Sequence, residues 1–177
     1  MKSITLIALF LACAYANTCG GNCPSNDCTS CLCGTTKDVV SIASWCSQYS
    51  GWSQTCCQCI ASHESGGNAN AQNHNTNGSN DIGLWQINSA NWDSCSGGSA
   101  PCNPSTNLAC AKKVWGWGGN TWKLWSTCSG CNCCSKAEED EFLRLEAEER
   151  LRAQSQEQSV SHKIDSENNE LNSGSQL

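Results

Sequence analysis

Residues 59–88, CIASHESGGNANAQNHNTNGSNDIGLWQIN, decide the fold of this 177-residue chain. The stretch carries two carboxylates, Glu64 and Asp81, among amides, hydroxyls and glycines. Glu64 is also the only glutamate before Glu138. Ile60 lies four positions before Glu64, so in a helix the two side chains share one face. A glutamate at the end of an apolar face is a candidate for chemistry, because a solvated glutamate usually lies on the polar face.

Capping residues and helical spacing predict three helices around this stretch. The first runs from about Thr36 to Ser47. The second begins after the N-cap Ser53 and ends at Glu64 or Ser65, because Gly66-Gly67 is a strong stop signal. The third begins at Asn103-Pro104, an N-cap followed by proline at the first helical position, and ends at Gly116.

A β-hairpin is predicted between the second and third helices. Asn77-Gly78 is a strong two-residue hairpin signal, because both residue types tolerate a positive φ. The strands would cover about 71–76 and 79–85, which puts Asp81 on the second strand. These elements predict an α+β fold, mainly helical with a small β-hairpin subdomain and a disulfide-rich framework.

The cysteine count predicts the disulfide framework. The chain has 17 cysteines, and removing Cys13 with a predicted signal peptide leaves an even sixteen between Cys19 and Cys134. An even count in an exported chain indicates up to eight bridges. Zinc is the alternative, since Cys28-x-x-Cys31 has ligand-like spacing. An oxidising compartment argues against free thiolates, so we expect no metal and no other cofactor.

The chain divides into three segments. Residues 1–16 are predicted to be a signal peptide, with Lys2, a short apolar run and small residues before the cleavage site. Residues 17–135 form the cysteine-rich domain, and residues 136–177 form an acidic tail. No later apolar run is long enough to span a membrane. A solvated helix is predicted over 138–153, where Asp140/Arg144, Glu146/Arg150 and Glu148/Arg152 are i,i+4 ion pairs. The polar composition beyond Gln154 predicts disorder.

Charge is concentrated in the tail. Of the formal net charge of −6, the domain at 17–135 contributes −1, the tail contributes −6 and Lys2 contributes +1. The domain has no basic stripe of the kind that nucleic-acid binding requires, so no nucleic-acid partner is expected.

Three strings resemble the c-type lysozymes: Cys59-Ile-Ala-Ser-His-Glu64-Ser, Asn73-His-Asn-Thr-Asn-Gly-Ser-Asn-Asp81 and Gly83-Leu-Trp-Gln-Ile-Asn-Ser89. Cys110-Ala-Lys-Lys-Val is similar too, and the resemblance covers about residues 38–128. It implies a lysozyme-like fold and a monomeric enzyme that hydrolyses β-1,4 bonds in bacterial peptidoglycan, with chitin oligomers as a possible second substrate. The predicted signal peptide at residues 1–16 implies secretion, either to the outside or into a lysosome-like digestive vesicle.

The resemblance assigns roles to individual residues. Glu64 would be the general acid and then the general base, with a pKa raised by its apolar surroundings. Asp81 would be the nucleophile or electrostatic stabiliser, kept ionised by hydrogen bonds from supporting residues. The supporting residues would be Asn75, Ser79 and Asn88. The residues lining the sugar cleft would be Asn75, Gln86, Ile87, Asn88, Trp92 and Trp122, with Trp122 packed on Glu64. The implied disulfides are Cys59–Cys128 and Cys95–Cys102.

Two other functions stay open. Glu64-Ser-Gly-Gly-Asn and Gly83-Leu-Trp-Gln-Ile also resemble lytic transglycosylases and goose-type lysozymes, which rely chiefly on one glutamate. The position of Asp81 favours hydrolysis over this alternative. A catalytically silent sugar-binding module is the third possibility, and the presence of both carboxylates argues against it.

Overall fold

The structure is a computed structural model that describes residues 19–21, 23, 28 and 30–173. Within this range the α-helices and strands follow the order α1 (Ile42–Cys46), α2 (Gln54–Ser65), β1 (Gln72–His74), β2 (Asn80–Ile82), β3 (Ile87–Asn88), α3 (Trp92–Ser96), α4 (Pro104–Trp117) and α5 (Lys136–Ser173). Short 3-10 helices lie at Cys19–Gly21, Ser89–Asn91 and Ser126–Cys131. The mostly helical architecture with one small sheet confirms the predicted α+β fold. The predicted signal peptide, residues 1–16, lies outside the described residues.

Helix α2, which carries Glu64, has the bounds that the sequence predicts. The Ser53 side chain accepts a hydrogen bond from the Cys56 backbone N–H, at 3.2 Å. At the other end Gly66 adopts the left-handed conformation, with φ 60°, and donates its N–H to the Ser62 carbonyl oxygen. Since glycine adopts this conformation at little cost, the helix stops one residue after Glu64.

The first predicted helix is much shorter than expected. It covers only Ile42–Cys46, with Ser41 rather than Thr36 as its N-cap. The residues before it are extended, because Val39 forms an isolated antiparallel bridge with Asn68. The Val40 N–H donates to the Gly67 carbonyl oxygen at 2.9 Å. These long-range hydrogen bonds override the helical spacing of the local sequence.

The sheet has the order β1-β2-β3, with both neighbouring pairs antiparallel. Its register pairs Asp81 with Asn73 on one side and with Asn88 on the other. The strands are shorter than predicted, and the two-residue strand β3 is absent from the sequence prediction. Asp81 therefore lies on the central strand of the sheet, where both neighbouring strands present amide side chains.

The hairpin turn is longer than the predicted two-residue turn. The Gly78 N–H donates to the Asn75 carbonyl oxygen at 2.9 Å, and the Asn75 N–H donates to the Ser79 carbonyl oxygen at 2.8 Å. Gly78 has a positive φ of 83°, whereas Asn77 does not. A two-residue turn of the expected type needs a positive φ at both positions, so Asn77-Gly78 does not form one. The loop closed by the hydrogen bond from Asn75 to Ser79 has three residues, 76–78.

Helix α4 begins as predicted and anchors the sheet. Asn103 caps it by accepting from the Ser105 N–H at 2.9 Å, and it ends at Trp117, one residue beyond Gly116. The buried Asn107 side chain donates to the Ile82 carbonyl oxygen at 2.8 Å and accepts from the Trp85 N–H at 3.1 Å. A side chain at Gly83, whose φ is 82°, would collide with the Asn107 amide. This close approach holds the segment after β2 against α4.

Tryptophans form the centre of the core. Trp52, Trp85 and Trp122 are fully buried. The Trp122 ring lies 5.0 Å from that of Trp52 and 4.9 Å from that of Trp125, measured between centroids. Ile60 and Ala61 of α2 belong to the same buried cluster. Packing at this density fixes the position of α2 beneath the candidate site.

All sixteen cysteines between Cys19 and Cys134 are paired, which confirms the eight-bridge framework. The pairs are Cys19–Cys31, Cys23–Cys28, Cys33–Cys102, Cys46–Cys57, Cys56–Cys133, Cys59–Cys131, Cys95–Cys110 and Cys128–Cys134. The cysteines of this range are therefore not free thiolates, as a zinc site would require.

Both disulfides implied by the resemblance are wrong. Cys59 pairs with Cys131 rather than with Cys128, and the Cα atoms of Cys59 and Cys131 lie 5.9 Å apart. Cys95 pairs with Cys110 of α4. Four cysteines lie within seven residues, at positions 128, 131, 133 and 134, so the sequence alone does not decide which of them bonds to Cys59. Cys128 and Cys102 bond instead to Cys134 and Cys33, two cysteines without a counterpart in the resemblance.

The acidic tail is one long helix, α5, which continues to Ser173. This helix includes the stretch beyond Gln154 for which the polar composition predicts disorder, and residues 136–173 contain no glycine or proline that would interrupt it. Two of the predicted i,i+4 ion pairs form, Glu146–Arg150 at 3.5 Å and Glu148–Arg152 at 3.8 Å. The third does not, because Asp140 binds Lys136 and Arg144 binds Glu141 and Glu148. No helix of the described residues combines the length and apolar character needed to cross a membrane.

Candidate active site

A cleft of about 490 Å³ contains both carboxylates that the sequence singles out. It is bounded by the end of α2, the sheet with its hairpin turn, α4 and the segment 124–126. Its lining residues are Glu64, Asn75, Thr76, Asn77, Ser79, Asp81, Gln86, Ile87, Asn88, Asn91, Val114, Leu124, Trp125 and Ser126. Most of these side chains are amides and hydroxyls, which are suited to a hydroxyl- and amide-bearing ligand.

Glu64 reaches the cleft from the last turn of α2. Its side chain is half-buried, and burial raises the pKa of the Glu64 carboxyl above its ordinary value. The Thr127 hydroxyl opposes this by donating a hydrogen bond to Oε1 at 2.6 Å. The negative charge of Asp81 raises the pKa further, whereas the neighbouring His63 lowers it. The net effect is a carboxyl group that holds its proton more tightly than a solvated glutamate.

Asp81 has surroundings of the opposite kind. Asn75 donates from Nδ2 to Asp81 Oδ2, and Asn88 donates from Nδ2 to Asp81 Oδ1, both at 2.7 Å. Ser79 Oγ accepts from the same two amides, at 3.0 Å from Asn75 and 2.9 Å from Asn88. Each carboxylate oxygen therefore has its own amide donor, and the pair of bonds fixes the orientation of the carboxylate in the cleft.

The two amide donors are themselves held in place. Asn75 Oδ1 accepts from Asn73 Nδ2 at 3.1 Å, and Asn88 Oδ1 accepts from the Ala90 backbone N–H at 3.0 Å. With each carbonyl oxygen occupied by a donor, the amide NH₂ groups are the ends that face Asp81. The site thus supports Asp81 through two consecutive layers of hydrogen bonds.

Gln86 and Ile87 line the cleft, as the resemblance implies. Gln86 has a positive φ of 46°, and its Nε2 donates to the Gly83 carbonyl oxygen at 2.9 Å and to the Ala71 carbonyl oxygen at 3.2 Å. This amide nitrogen therefore fastens the loop before β3. Ile87 is almost fully buried and gives the cleft an apolar floor.

The two tryptophans expected in the cleft are not among its lining residues. Trp122 is fully buried and packs between Trp52 and Trp125 in the core, so it does not reach the surface of the cleft. Trp92 is half-buried against the core, and its indole Nε1 donates to the Ile87 carbonyl oxygen at 3.0 Å. Neither Trp92 nor Trp122 therefore lies where the resemblance places it, in the lining of the cleft.

Trp125 occupies the position that the resemblance gave to Trp122. It lines the cleft, and its indole Nε1 donates to the Trp85 carbonyl oxygen at 2.7 Å. Trp125 follows Trp122 by three residues, as Cys131 follows Cys128. Both the cleft tryptophan and the partner of Cys59 therefore lie three residues after the positions that the resemblance implies. Leu124, beside Trp125, also lines the cleft and was not assigned from the sequence.

Comparisons with known proteins agree with this geometry. Residues 49–127 match a family model described as a lysozyme-like domain. Lysozyme C-1 of Anas platyrhynchos is 35% identical over 100 residues, which cover 46% of this chain and 67% of that protein. The chain belongs to the lysozyme-like family. Lysozyme 1 of Musca domestica is 36% identical over 89 residues, covering 41% of this chain and 62% of that lysozyme.

Another relative matches over a shorter stretch. Lysozyme C of Takifugu rubripes is 43% identical over 53 residues, which cover 30% of this chain and 36% of that lysozyme. The chain thus spans between 36% and 67% of the length of these three lysozymes. The family model leaves out the cysteine-rich segment before residue 49 and the whole of α5.

Proposed function

We propose that this protein is a lysozyme that hydrolyses the β-1,4 bonds between N-acetylmuramic acid and N-acetylglucosamine in bacterial peptidoglycan. The observation that carries the proposal is the contrast between the two carboxylates of one cleft. Glu64 is half-buried with a raised pKa, whereas Asp81 accepts two short amide hydrogen bonds. A two-carboxylate glycosidase needs this division, because one group must donate a proton while the other stays charged.

In the first step Glu64 donates its proton to the glycosidic oxygen, and the bond from that oxygen to the anomeric carbon breaks. Positive charge develops at the anomeric carbon, and the Asp81 carboxylate stabilises it or forms a bond to it. Asn75 and Asn88 hold the Asp81 carboxylate in a fixed orientation during this step through their two hydrogen bonds. Ionised Glu64 then accepts a proton from water as the water oxygen attacks the anomeric carbon. Where a bond to Asp81 has formed, it breaks in this step, so that Asp81 leaves as a carboxylate, Glu64 is protonated again and a reducing sugar is released.

Two features of the cleft support a sugar polymer as substrate. Its polar lining offers amides and hydroxyls that suit hydroxyl and N-acetyl groups, and Leu124 with Trp125 offers an apolar surface to the faces of sugar rings. Chitin oligomers share the N-acetylglucosamine unit, so we propose them as a second, poorer substrate. The eight disulfides support action in an oxidising compartment, outside the cell or in a digestive vesicle, and we propose that the protein acts there as a monomer.

The test is the loss of turbidity of a bacterial cell-wall suspension with wild type, Glu64→Gln and Asp81→Asn. We expect Glu64→Gln to abolish nearly all lysis, because the amide has no acidic proton to donate. Asp81→Asn should remove most of it, because the new NH₂ group faces amide donors and cannot stabilise positive charge. Glu157→Gln, an exposed change of the same chemistry on α5, is the matched control and should lyse like wild type. Full activity of Glu64→Gln would refute the proposal.

Mass analysis of the released muropeptides separates hydrolysis from the single-glutamate alternative. Hydrolysis leaves a reducing end, whereas lytic transglycosylation leaves an anhydro-sugar end that is lighter by one water. We expect reducing ends, because a carboxylate held by two amides is unnecessary in an enzyme that uses one glutamate alone. Anhydro ends, together with normal lysis by Asp81→Asn, would instead assign the chain to the single-glutamate class.

A further inference from the structure

Thr127 makes a contact with Glu64 that neither the sequence motifs nor the family resemblance assigns. Its hydroxyl donates to Glu64 Oε1 at 2.6 Å. Among the described residues this is the one side-chain hydrogen bond to the Glu64 carboxyl group. Oε2 has no such partner within the described part of the chain, so the two oxygens of the proposed acid are not equivalent.

Two contacts of the neighbouring chain fix the position of Thr127. Thr127 lies on the 3-10 helix Ser126–Cys131, and the Cys59–Cys131 disulfide ties that helix directly to α2. Cys59 precedes Glu64 by five residues on the same helix. On the other side, Trp125 fastens the chain through its hydrogen bond to the Trp85 carbonyl oxygen at 2.7 Å. Thr127 is therefore placed against Glu64 by a covalent bridge and a buried hydrogen bond.

We propose that Thr127 is a positioning residue for Glu64, whose hydroxyl holds Oε1 and leaves Oε2 to carry the proton delivered to the glycosidic oxygen. This inference rests on the proposed function, because it concerns the same acid. An unrestrained glutamate at a helix end samples several rotamers, and only some of them point an acidic proton at the substrate. The Thr127 hydroxyl removes that freedom without contacting the sugar.

The same bond sets how strongly Glu64 holds its proton. Burial raises the pKa of Glu64, the Thr127 hydroxyl lowers it, Asp81 on β2 raises it and His63 on α2 lowers it. Removing the hydroxyl takes away one of the two influences that lower the pKa of Glu64. The pKa of Glu64 should therefore rise further. The general acid must be protonated to act, so the alkaline limb of the pH–activity profile should then move to higher pH.

The decisive variant is Thr127→Val, which keeps the shape of the side chain and removes the hydroxyl. Thr127→Ser keeps the hydroxyl and is the matched control. Thr127→Ala serves as a second hydroxyl-free variant in case valine disturbs packing. The primary readout is the NMR titration of Glu64 in protein labelled at the glutamate side-chain carboxyl carbon, assigned by comparison with Glu64→Gln. This readout needs no enzymatic activity.

We expect Thr127→Val and Thr127→Ala to bind the Glu64 proton roughly three- to ten-fold more tightly than wild type, the size expected for one hydrogen bond. Thr127→Ser should titrate like wild type. On a soluble oligosaccharide of alternating N-acetylglucosamine and N-acetylmuramic acid, the hydroxyl-free variants should lose kcat at the optimum with little change in KM. Their alkaline limb should move in the same direction as the NMR titration.

The outcomes separate the two proposals. Normal lysis by wild type with an unchanged Glu64 titration and unchanged kcat in Thr127→Val would overturn the positioning role alone. Absence of lysis by wild type at every pH would overturn the proposed function and, with it, the catalytic purpose of Thr127. A Thr127→Ser variant that behaves like Thr127→Val would also refute the role, because the hydroxyl would then be irrelevant.

Discussion

Glu139 of α5 accepts a 2.6 Å hydrogen bond through Oε1 from the backbone N–H of Ser53, the N-cap of the helix that ends with Glu64. The contact joins a segment outside the family match to the helix that carries the proposed acid. Glu146, two turns further along α5, accepts from the Ser53 hydroxyl and from the Thr55 N–H at 2.7 and 2.8 Å. The acidic tail is therefore docked on α2, and its carboxylates satisfy N–H groups that a helix start leaves without partners.

Glu139 should make the stability of the protein depend on pH near neutrality. Its side chain is fully buried, and burial raises its pKa from 4.5 to about 7. The opposing influences are the Ser53 N–H and Lys136, which lower this pKa, while the charge of Glu146 raises it. Because the folded protein binds this proton more tightly than the unfolded chain, the stabilisation is full below about pH 4.5 and is lost as pH rises through 7.

The variant Glu139→Gln tests whether the stability of the protein falls with rising pH because of Glu139. It cannot ionise, so its Tm should fall less than that of wild type between pH 5 and pH 8, by a difference of roughly 5 °C. Glu149→Gln, an exposed change on the same helix, should keep the slope of wild type. Thermal unfolding followed by circular dichroism at a series of pH values gives the comparison. Equal slopes in Glu139→Gln and wild type would show that Glu139 is not buried against α2.

The stabilisation that Glu146 contributes should depend on pH in the opposite direction to that of Glu139. Burial raises the pKa of its carboxyl, but the hydrogen bonds from the Thr55 N–H, the Ser53 hydroxyl and the Gln54 N–H prevail and lower it. A lowered pKa means that the stabilisation is present above the pKa of the unfolded chain and is lost as pH falls. Glu146→Ala should therefore cost about 1–2 kcal/mol at pH 7, the size of a lost helix cap.

Urea unfolding measures the change expected for Glu146→Ala, and Glu149→Ala is the matched control. Glu149 is exposed on the same helix, so its removal should leave the free energy of unfolding within about 0.5 kcal/mol of wild type. The difference between the two variants should shrink at low pH, as Glu146 becomes protonated in wild type. An equal effect of both substitutions would argue that α5 does not dock on α2.

The sequence predicts those features that local chemistry determines. Ser53 and Gly66 mark the ends of α2, and this places Glu64 on its last turn, facing the cleft. Asp81 could be assigned to a strand because Asn77-Gly78 marks the turn before it. Strand β3 could not be predicted, since two residues carry no periodic signal and the strand is defined by its pairing with β2.

The remaining errors arise from long-range contacts. The partner of Cys59 depends on how the segment after Trp122 folds back on α2, and crowded cysteines leave that choice open. The docking of α5 on α2 could not be predicted from the sequence for another reason. Glu139 and Glu146 fall within a pattern typical of a solvated helix, and only the N–H groups of a distant helix start distinguish them from their exposed neighbours.

The amide donors of Asp81 should be required for its proposed role. Asn75→Ala or Asn88→Ala removes one 2.7 Å hydrogen bond to the carboxylate and should lower the rate of wall lysis roughly ten- to hundred-fold, the loss expected for one bond to a charged group. Asn80→Ala is the control, because the Asn80 side chain contacts His74 and Gln72 instead. An equally large loss in Asn80→Ala would indicate that the sheet as a whole, and not Asp81, is affected.

Leu124 should bind the apolar face of a sugar ring. Its side chain is 54% exposed and lines the cleft, whereas Trp117 is 51% exposed and lies outside the set of lining residues. A ligand that covers an exposed apolar side chain removes it from water, and this contributes about 0.8 kcal/mol to the binding free energy for each buried methylene. Leu124→Ser should therefore raise KM for the soluble oligosaccharide roughly three- to ten-fold with kcat and Tm nearly unchanged. Trp117→Ser should leave KM unaffected. An equal rise in KM for both variants would indicate that the oligosaccharide adsorbs on exposed apolar side chains in general, and that Leu124 is not a specific part of the binding cleft.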